Sequence, residues 1–353
     1  MGGGLQTEAE DMPPVPVCYT LVPSPEHDLE GHPESVARFE LLEAAMADLP
    51  GGIAERVDSA EASEEAILRV HPEAYLRTLE AACLQGPAYV DMAPTYVTQA
   101  SMGAARRAAG GTLAVLDSVL AGEARTGFAL IRPPGHHATA TRAMGFCLLN
   151  NLAIAARHAQ EAGLRRVMIV DFDVHHGNGT QDIFKSDANV LDISTHQSGI
   201  YPGSGAMSDV GLGPGAGMLV NIPLHPHSGD LAFERIANEV IIPLGIRFAP
   251  DLILMSTGFD SHWRDPLGQL QLTCSGFHML ARTVARLADE VCGGRAMAVL
   301  EGGYDPEALA GSVRAVAYAL AGLPCPPDPL GHGGYLEPEI GPLMERLRQL
   351  HGL

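Results

Sequence analysis

Val167-Met-Ile-Val170-Asp171-Phe-Asp173-Val-His175-His176-Gly-Asn178-Gly-Thr180 is the stretch whose reading decides the fold. Its first four residues are all apolar, so neither face of the segment is polar. A run of this kind suits a strand buried on both sides within a parallel sheet. A loop rich in carboxylates and imidazoles follows at once. Working outward, short apolar runs recur at 128–131, 190–193, 218–222, 252–255 and 296–300, with another apolar stretch at 15–20. Helical patterns are expected between and around them, at 33–49, 64–83, 99–120, 147–162, 230–246, 273–292, 305–321 and 339–350. Pro33 and Gly51-Gly52 punctuate the first of these. Strand–helix alternation predicts an α/β chain with a central, mostly parallel sheet and helices on both faces. Residues 1–14 read as a flexible tail, and no linker divides 15–353, which is expected to be one domain.

Composition removes several classes of function. The 353 residues carry 22 Lys+Arg against 42 Asp+Glu, a net charge of −20, and Lys185 is the one lysine. Phosphate contacts need clustered bases, so a nucleic-acid binder is not expected. An acidic surface suits a cationic substrate, although solubility alone accounts for it. With 46% hydrophobic residues the chain can bury a full core. No apolar run reaches the roughly 18 residues that span a membrane. The N-terminus lacks the basic and apolar regions of a secretory signal. Cys18, Cys83, Cys147, Cys274, Cys292 and Cys325 form no C-x-x-C pair, so a cytoplasmic location is expected.

Ligands of parallel sheets bind beyond the carboxyl ends of the strands. The residues there are Arg132-Pro-Pro-Gly-His136-His137, Asp171 to Asn178, Gly258-Phe-Asp260 and Glu301-Gly-Gly-Tyr304. Asp173 and His175, two apart, share a face of an extended segment. With Asp260 they offer three ligands and an open fourth position, the pattern of a catalytic zinc. Any one of these alone is more often a cap or a satisfied core group. Four such loops at one sheet edge are a stronger signal. His136 and His137 need acceptors for their second nitrogens, and Asp171 and Asn178 are the candidates. A histidine near neutrality can shuttle protons. Tyr304, after two glycines, can donate to a developing oxyanion.

R-P-P-G-H-H-A (132–138), D-F-D-V-H-H-G-N-G-T (171–180), G-F-D (258–260) and E-G-G-Y (301–304), in this order, resemble the zinc-dependent histone deacetylases and acetylpolyamine amidohydrolases. The likeness runs from about 31 to 322 and points to a bacterial class II-like member. It implies a single-domain arginase-deacetylase-like fold and hydrolysis of acetylated amines, acetyl-lysine in proteins or peptides ahead of acetylpolyamines and small amides. It implies zinc on Asp173, His175 and Asp260, His137 as general base and then acid, His136 as its partner on Asp171, Asn178 on the second imidazole, and Tyr304 polarising the carbonyl. Phe146 and Tyr201 match the aromatic pair flanking the substrate tunnel, with Tyr201 where the family usually has Phe. Asp91 matches a rim acid. Leu267 stands where polyamine-selective relatives carry a glutamate, which favours a neutral tunnel. Potassium near Asp171, Asp173, His175, Ser194 and Phe184 is also implied, and an oligomer is compatible with the family.

Two rival readings fit the residues less well. Arginase-like chemistry with two manganese ions needs D-x-H-x-D and D-x-D, whereas here the motifs read D-V-H-H-G and Asp260-Ser261-His262. A non-catalytic module that only binds acylated ligands would carry a broken site, and the ligands, the His pair and the Tyr are all in place.

Overall fold

The computed structural model describes residues 16–92 and 94–353. The tail expected over 1–14 lies outside the described residues, as does Val15. The strands are β1 (Val17–Val22), β2 (Ala54–Arg56), β3 (Ala88–Tyr89), β4 (Tyr96–Val97), β5 (Thr126–Ile131), β6 (Val167–Asp171), β7 (Val190–Gln197), β8 (Leu219–Leu224), β9 (Leu252–Thr257) and β10 (Ala296–Leu300). Eight of them form one sheet in the order β2-β1-β5-β10-β9-β6-β7-β8. Every pairing in it is parallel. β3 and β4 make a separate antiparallel hairpin.

The apolar runs predicted as strands are strands because both sheet faces are covered. Along β6, Met168 and Val170 point into one core, and Val167 and Ile169 into the other. The helices are α1 (Leu42–Ala47), α2 (Glu64–Leu68), α3 (Glu73–Leu84), α4 (Ser101–Ala121), α5 (Asn151–Glu161), α6 (Asn178–Phe184), α7 (Asp230–Ile236), α8 (Ile242–Phe248), α9 (Cys274–Cys292), α10 (Pro306–Leu320) and α11 (Gly341–His351). Buried residues of α1 and α7 to α11 fill the first core, and those of α2 to α6 fill the second.

Three expected helices are interrupted. The pattern at 64–83 divides into α2 and α3 at Pro72, which lacks an amide hydrogen and restricts the residue before it. The pattern at 33–49 becomes a 3₁₀ turn, Val36–Phe39, followed by the short α1. At 230–246 a π-helical turn, Ala237–Ile241, precedes Pro243 near the start of α8. The helix expected at 147–162 begins only at Asn151, whose predecessor Asn150 caps it by accepting Ala153 N–H at 2.8 Å.

Candidate active site

The chain runs outward through β6, β7 and β8, then returns to fill the middle of the sheet with β9 and β10. The carboxyl ends of β5, β10, β9 and β6 therefore open side by side, at the point where such sheets bind ligands. All four motif loops meet there.

Asp173 and His175 follow β6, and Asp260 follows β9. One donor atom from each lies within 4.8 Å of the other two. Asp173 Oδ1 accepts from His175 N (2.8 Å) and Nδ1 (3.1 Å), and Oδ2 accepts Gly302 N–H at 3.0 Å. Asp260 Oδ1 accepts Val174 N–H at 2.8 Å. Asp260 Oδ2 is buried and has no hydrogen-bond partner among the described residues. His175 Nδ1 approaches it to 3.2 Å. Burial lowers the His175 pKa, but the nearby Asp173 and Asp260 carboxylates outweigh it and lift the imidazole to about 10. The two carboxylates thus attract positive charge. A Cβ at Gly258 would overlap Asp173 Oδ2, and one at Gly302 would overlap Asp260 Oδ2, so glycine keeps that space open. An orphaned carboxylate oxygen, open space beside both acids and an O/N/O donor set without sulfur fit a divalent cation.

The two imidazoles that follow β5 differ sharply. His136 Nδ1 meets Asp171 Oδ2 at 3.0 Å, and His137 Nδ1 meets Asn178 Oδ1 at 2.8 Å. Their rings are 4.0 Å apart. Burial opposes charge on both. At His136 the Asp173 and Asp171 carboxylates prevail and raise the pKa well above the ordinary value. At His137 burial, reinforced by the neighbouring His136 and His175, lowers it well below. Because Asn178 Oδ1 can only accept, His137 carries its proton on Nδ1 and leaves the Nε2 lone pair available.

Tyr304, beyond β10, is anchored by its N–H to Asp265 Oδ2 at 2.6 Å. Arg38 lies 5.0 Å above its ring, and Phe146 meets it edge-on at 5.9 Å. Burial pushes its hydroxyl well above 10, so it stays a donor. These groups surround a cavity of about 300 Å³ lined by His136, His137, Phe146, His175, Tyr201, Leu267 and Tyr304, among others. Phe146 reaches it through a left-handed backbone, φ 68°. Leu267 is 37% exposed. Asp91, on the β3–β4 hairpin loop, accepts Thr95 N–H (2.7 Å) and Gly145 N–H (3.3 Å), so it braces the lip of the cavity. Asp171 and Ser194 are register partners across β6 and β7. Phe184 ends α6, its ring buried in the core beneath Arg157. His262 is buried, and the Trp263 indole Nε1–H donates to Gly331 O at 3.0 Å.

Four residues had no role in the sequence reading. Arg38 Nε donates to Gly303 O (2.7 Å) and its Nη2 to Glu301 O (2.6 Å). Glu34, fully buried, pairs with Arg38 at 3.3 Å and Arg132 at 2.6 Å. Glu301 and Asp265 complete the set. Glu301 lies inside a quoted motif, yet Glu34 and Arg38 belong to no motif, and their spacing alone reads as an ordinary helical pair.

The fold brings a carboxylate–imidazole–carboxylate donor set that could hold a metal ion to the ligand-binding edge of the sheet, and comparison with known proteins supplies the family. The histone deacetylase domain matches residues 32–320. The chain is 41% identical to histone deacetylase 14, chloroplastic, of Arabidopsis thaliana, over 96% of this chain and 85% of that one. It is 42% identical to polyamine deacetylase HDAC10 of Mus musculus, over 82% of this chain and 45% of that one. The crystal structure of the HDA15 HD domain superposes with a TM-score of 0.85 at 32% identity, covering 96% of this chain and 94% of that one. The chain belongs to the histone deacetylase family. It is an amide hydrolase of the deacetylase type, and Asp173, His175 and Asp260 can hold a metal ion. No helix among the described residues is long and apolar enough to cross a membrane.

Proposed function

We propose that this chain is a zinc-dependent deacylase that acts on acetyl-lysine in proteins or peptides. The observation that carries the substrate class is the wall of the cavity. Phe146, Tyr201 and Leu267 line it with apolar surface and no acidic side chain is among its lining residues, which suits a neutral alkyl chain. Asp173, His175 and Asp260 would hold the zinc. A divalent ion held there supplies Lewis acidity to an amide carbonyl and lowers the pKa of a water molecule.

The rest of the chemistry belongs to this chain's own residues. His137 Nε2 accepts a proton as the water oxygen bonds to the carbonyl carbon, and later delivers it to the amine nitrogen as the C–N bond breaks. The products are a carboxylic acid and an amine, which exchange a proton to leave a carboxylate and an ammonium. His136, held charged by the Asp173 and Asp171 carboxylates, favours a neutral resting His137. Asn178 fixes the tautomer that leaves Nε2 free. The Tyr304 hydroxyl donates to the oxygen that gains charge. Potassium at oxygens around Asp171, Asp173, His175, Ser194 and Phe184 belongs to the same proposal, as do one catalytic unit spanning 15–353 and a cytoplasmic location, the latter supported by six free cysteines.

The second reading is acetylpolyamine hydrolysis, favoured by the net charge of −20 and by Asp91 at the lip. A turnover panel of zinc-loaded protein decides between them. Acetyl-lysine peptide is set beside N-acetylputrescine, N8-acetylspermidine and an aromatic N-acetylamine. Peptide turnover that a chelator abolishes supports the first reading. Turnover confined to the small cationic amines moves the function to the second. Silence on all substrates with zinc bound would revive an acyl-ligand binding module.

A further inference from the structure

Glu301 stands between the His136–His137 loop and the Tyr304 loop, and no step above uses it. Its side chain is fully buried. Its Oε2 accepts two successive amide hydrogens, from Gly135 N at 2.6 Å and His136 N at 3.0 Å. Its main-chain oxygen accepts from Arg38 Nη2 at 2.6 Å, and the same guanidinium holds Gly303 O and covers the Tyr304 ring. One residue therefore ties the backbone that carries both imidazoles to the backbone that carries the tyrosine. The His loop is pressed into place from its other side as well: a Cβ on Gly135 would come within 2.6 Å of Asn151 N.

A carboxylate this close to an imidazolium could serve as a countercharge, and geometry separates the two roles. His136 Nδ1 is taken by Asp171 at 3.0 Å, and Nε2 faces Asp173 at 3.8 Å. Nδ1 is hydrogen-bonded elsewhere, and the carboxylate that Nε2 faces is that of Asp173. Glu301 directs one oxygen at the backbone, and its other oxygen, Oε1, is buried without a hydrogen-bond partner among the described residues.

We propose that Glu301 is a positioning residue, which sets the distance and orientation of the His136–His137 pair relative to Tyr304 by accepting the Gly135 and His136 amide hydrogens. This rests on the deacylase reading of those three side chains. A displacement of about 1 Å in such a pair can cost on the order of a hundredfold in rate.

Two variants oppose charge to reach. Glu301→Gln keeps an acceptor oxygen at the same distance and loses the charge. Glu301→Asp keeps the charge and retracts it by one methylene. The metal-loaded enzymes are assayed for kcat and KM on an acetyl-lysine peptide, and amide hydrogen exchange is followed over residues 133–138 in the same proteins. E301Q should hold kcat within about threefold of wild type and exchange at the wild-type rate. E301D should lose about tenfold or more in kcat with KM within about threefold, and Gly135 and His136 should exchange about tenfold faster. The reverse order, E301D active and E301Q impaired, makes Glu301 a countercharge and overturns the proposal. So do wild-type kinetics in both variants, a lower kcat with unchanged exchange, or an effect confined to KM. If E301D does not fold, a tenfold loss in E301Q alone overturns it. A wild type silent on every acetylated amine would instead defeat the deacylase reading, and the exchange comparison would still test the role of Glu301.

Discussion

His136 and His137 are adjacent in sequence, yet their protonation is driven in opposite directions. The Asp173 and Asp171 carboxylates raise the first, whereas burial and the neighbouring His136 and His175 lower the second. Tyr304 completes the set as a hydroxyl that burial keeps protonated. Removing that donor in Tyr304→Phe should lower kcat by roughly 10²–10³, about 3–4 kcal/mol of lost oxyanion stabilisation. Steady-state kinetics check this, and a variant within twofold of wild type refutes the role. Away from the site, His71 shows what burial does to an imidazole held neutral. It donates from Nδ1 to Ala140 O at 3.1 Å and accepts Asn150 N–H at Nε2 at 2.9 Å. Burial takes its pKa down to about 4. The unfolded chain, with a pKa near 6.5, binds a proton between those values that the native state does not. Stability from this residue is therefore intact above about pH 6.5 and lost as the pH falls toward 4. His71→Gln keeps a donor and an acceptor without the titration. Between pH 6.5 and 5 the wild type should lose about 2 kcal/mol more than H71Q in urea unfolding. Equal losses would show that His71 is not held neutral.

Among the elements, α9 shows how local signals survive folding. Thr273 caps it, accepting Gly276 N–H at 3.0 Å while donating to Asp230 Oδ2 at 2.6 Å. Gly293 ends it in a left-handed conformation, φ 64°. Thr273→Ala removes the cap and leaves Asp230 short of a donor, a cost of about 1–2 kcal/mol that the urea midpoint should register. A midpoint unmoved by the substitution would place the helix's stability in its packing alone. The helix was legible in the sequence because its apolar stripe and both ends agree. The pattern at 64–83 was misleading because side-chain periodicity continues across Pro72 while the backbone cannot. The start of α5 was misplaced for a related reason. Gly145 and Phe146 take left-handed conformations that turn the chain and aim Phe146 into the cavity, and α5 starts only after the extended Asn150 caps it. The short α6 was missed because Asn178, Gly179 and Thr180 read as a loop, yet this turn of helix holds Asn178 against His137.

For the molecule as a whole, the surplus of 20 negative charges has one measurable consequence. Long-range attraction raises the encounter rate of cationic ligands and is screened over about 8–10 Å at ordinary salt. For a cationic acetylated amine, kcat/KM should fall severalfold between about 0.02 and 0.3 M salt, while a neutral analogue stays within about twofold. An identical salt response for both would assign the charge to solubility alone. Sheet order is the other property of the whole. β5 and β10 pair at Thr126 and Ala296, and β9 pairs with β6 at Leu252 and Val167, so residues far apart in the chain form one crevice.

The amino-acid sequence by itself determined seven of the eight strands of the main sheet, missing β2, and which residues follow their carboxyl ends and can ligate a metal or move a proton. Those properties are local: a buried parallel strand is apolar throughout, and the chemistry of a side chain travels with it. Only the tertiary structure decided that β9 and β10 fill the gap between β5 and β6, that Glu34 is buried between Arg38 and Arg132, and that Glu301 grips the amides of Gly135 and His136. The last two depend on partners 98 and 166 residues away in the chain. A carboxylate's role follows from its burial and its partner, and neither is written in its immediate neighbours.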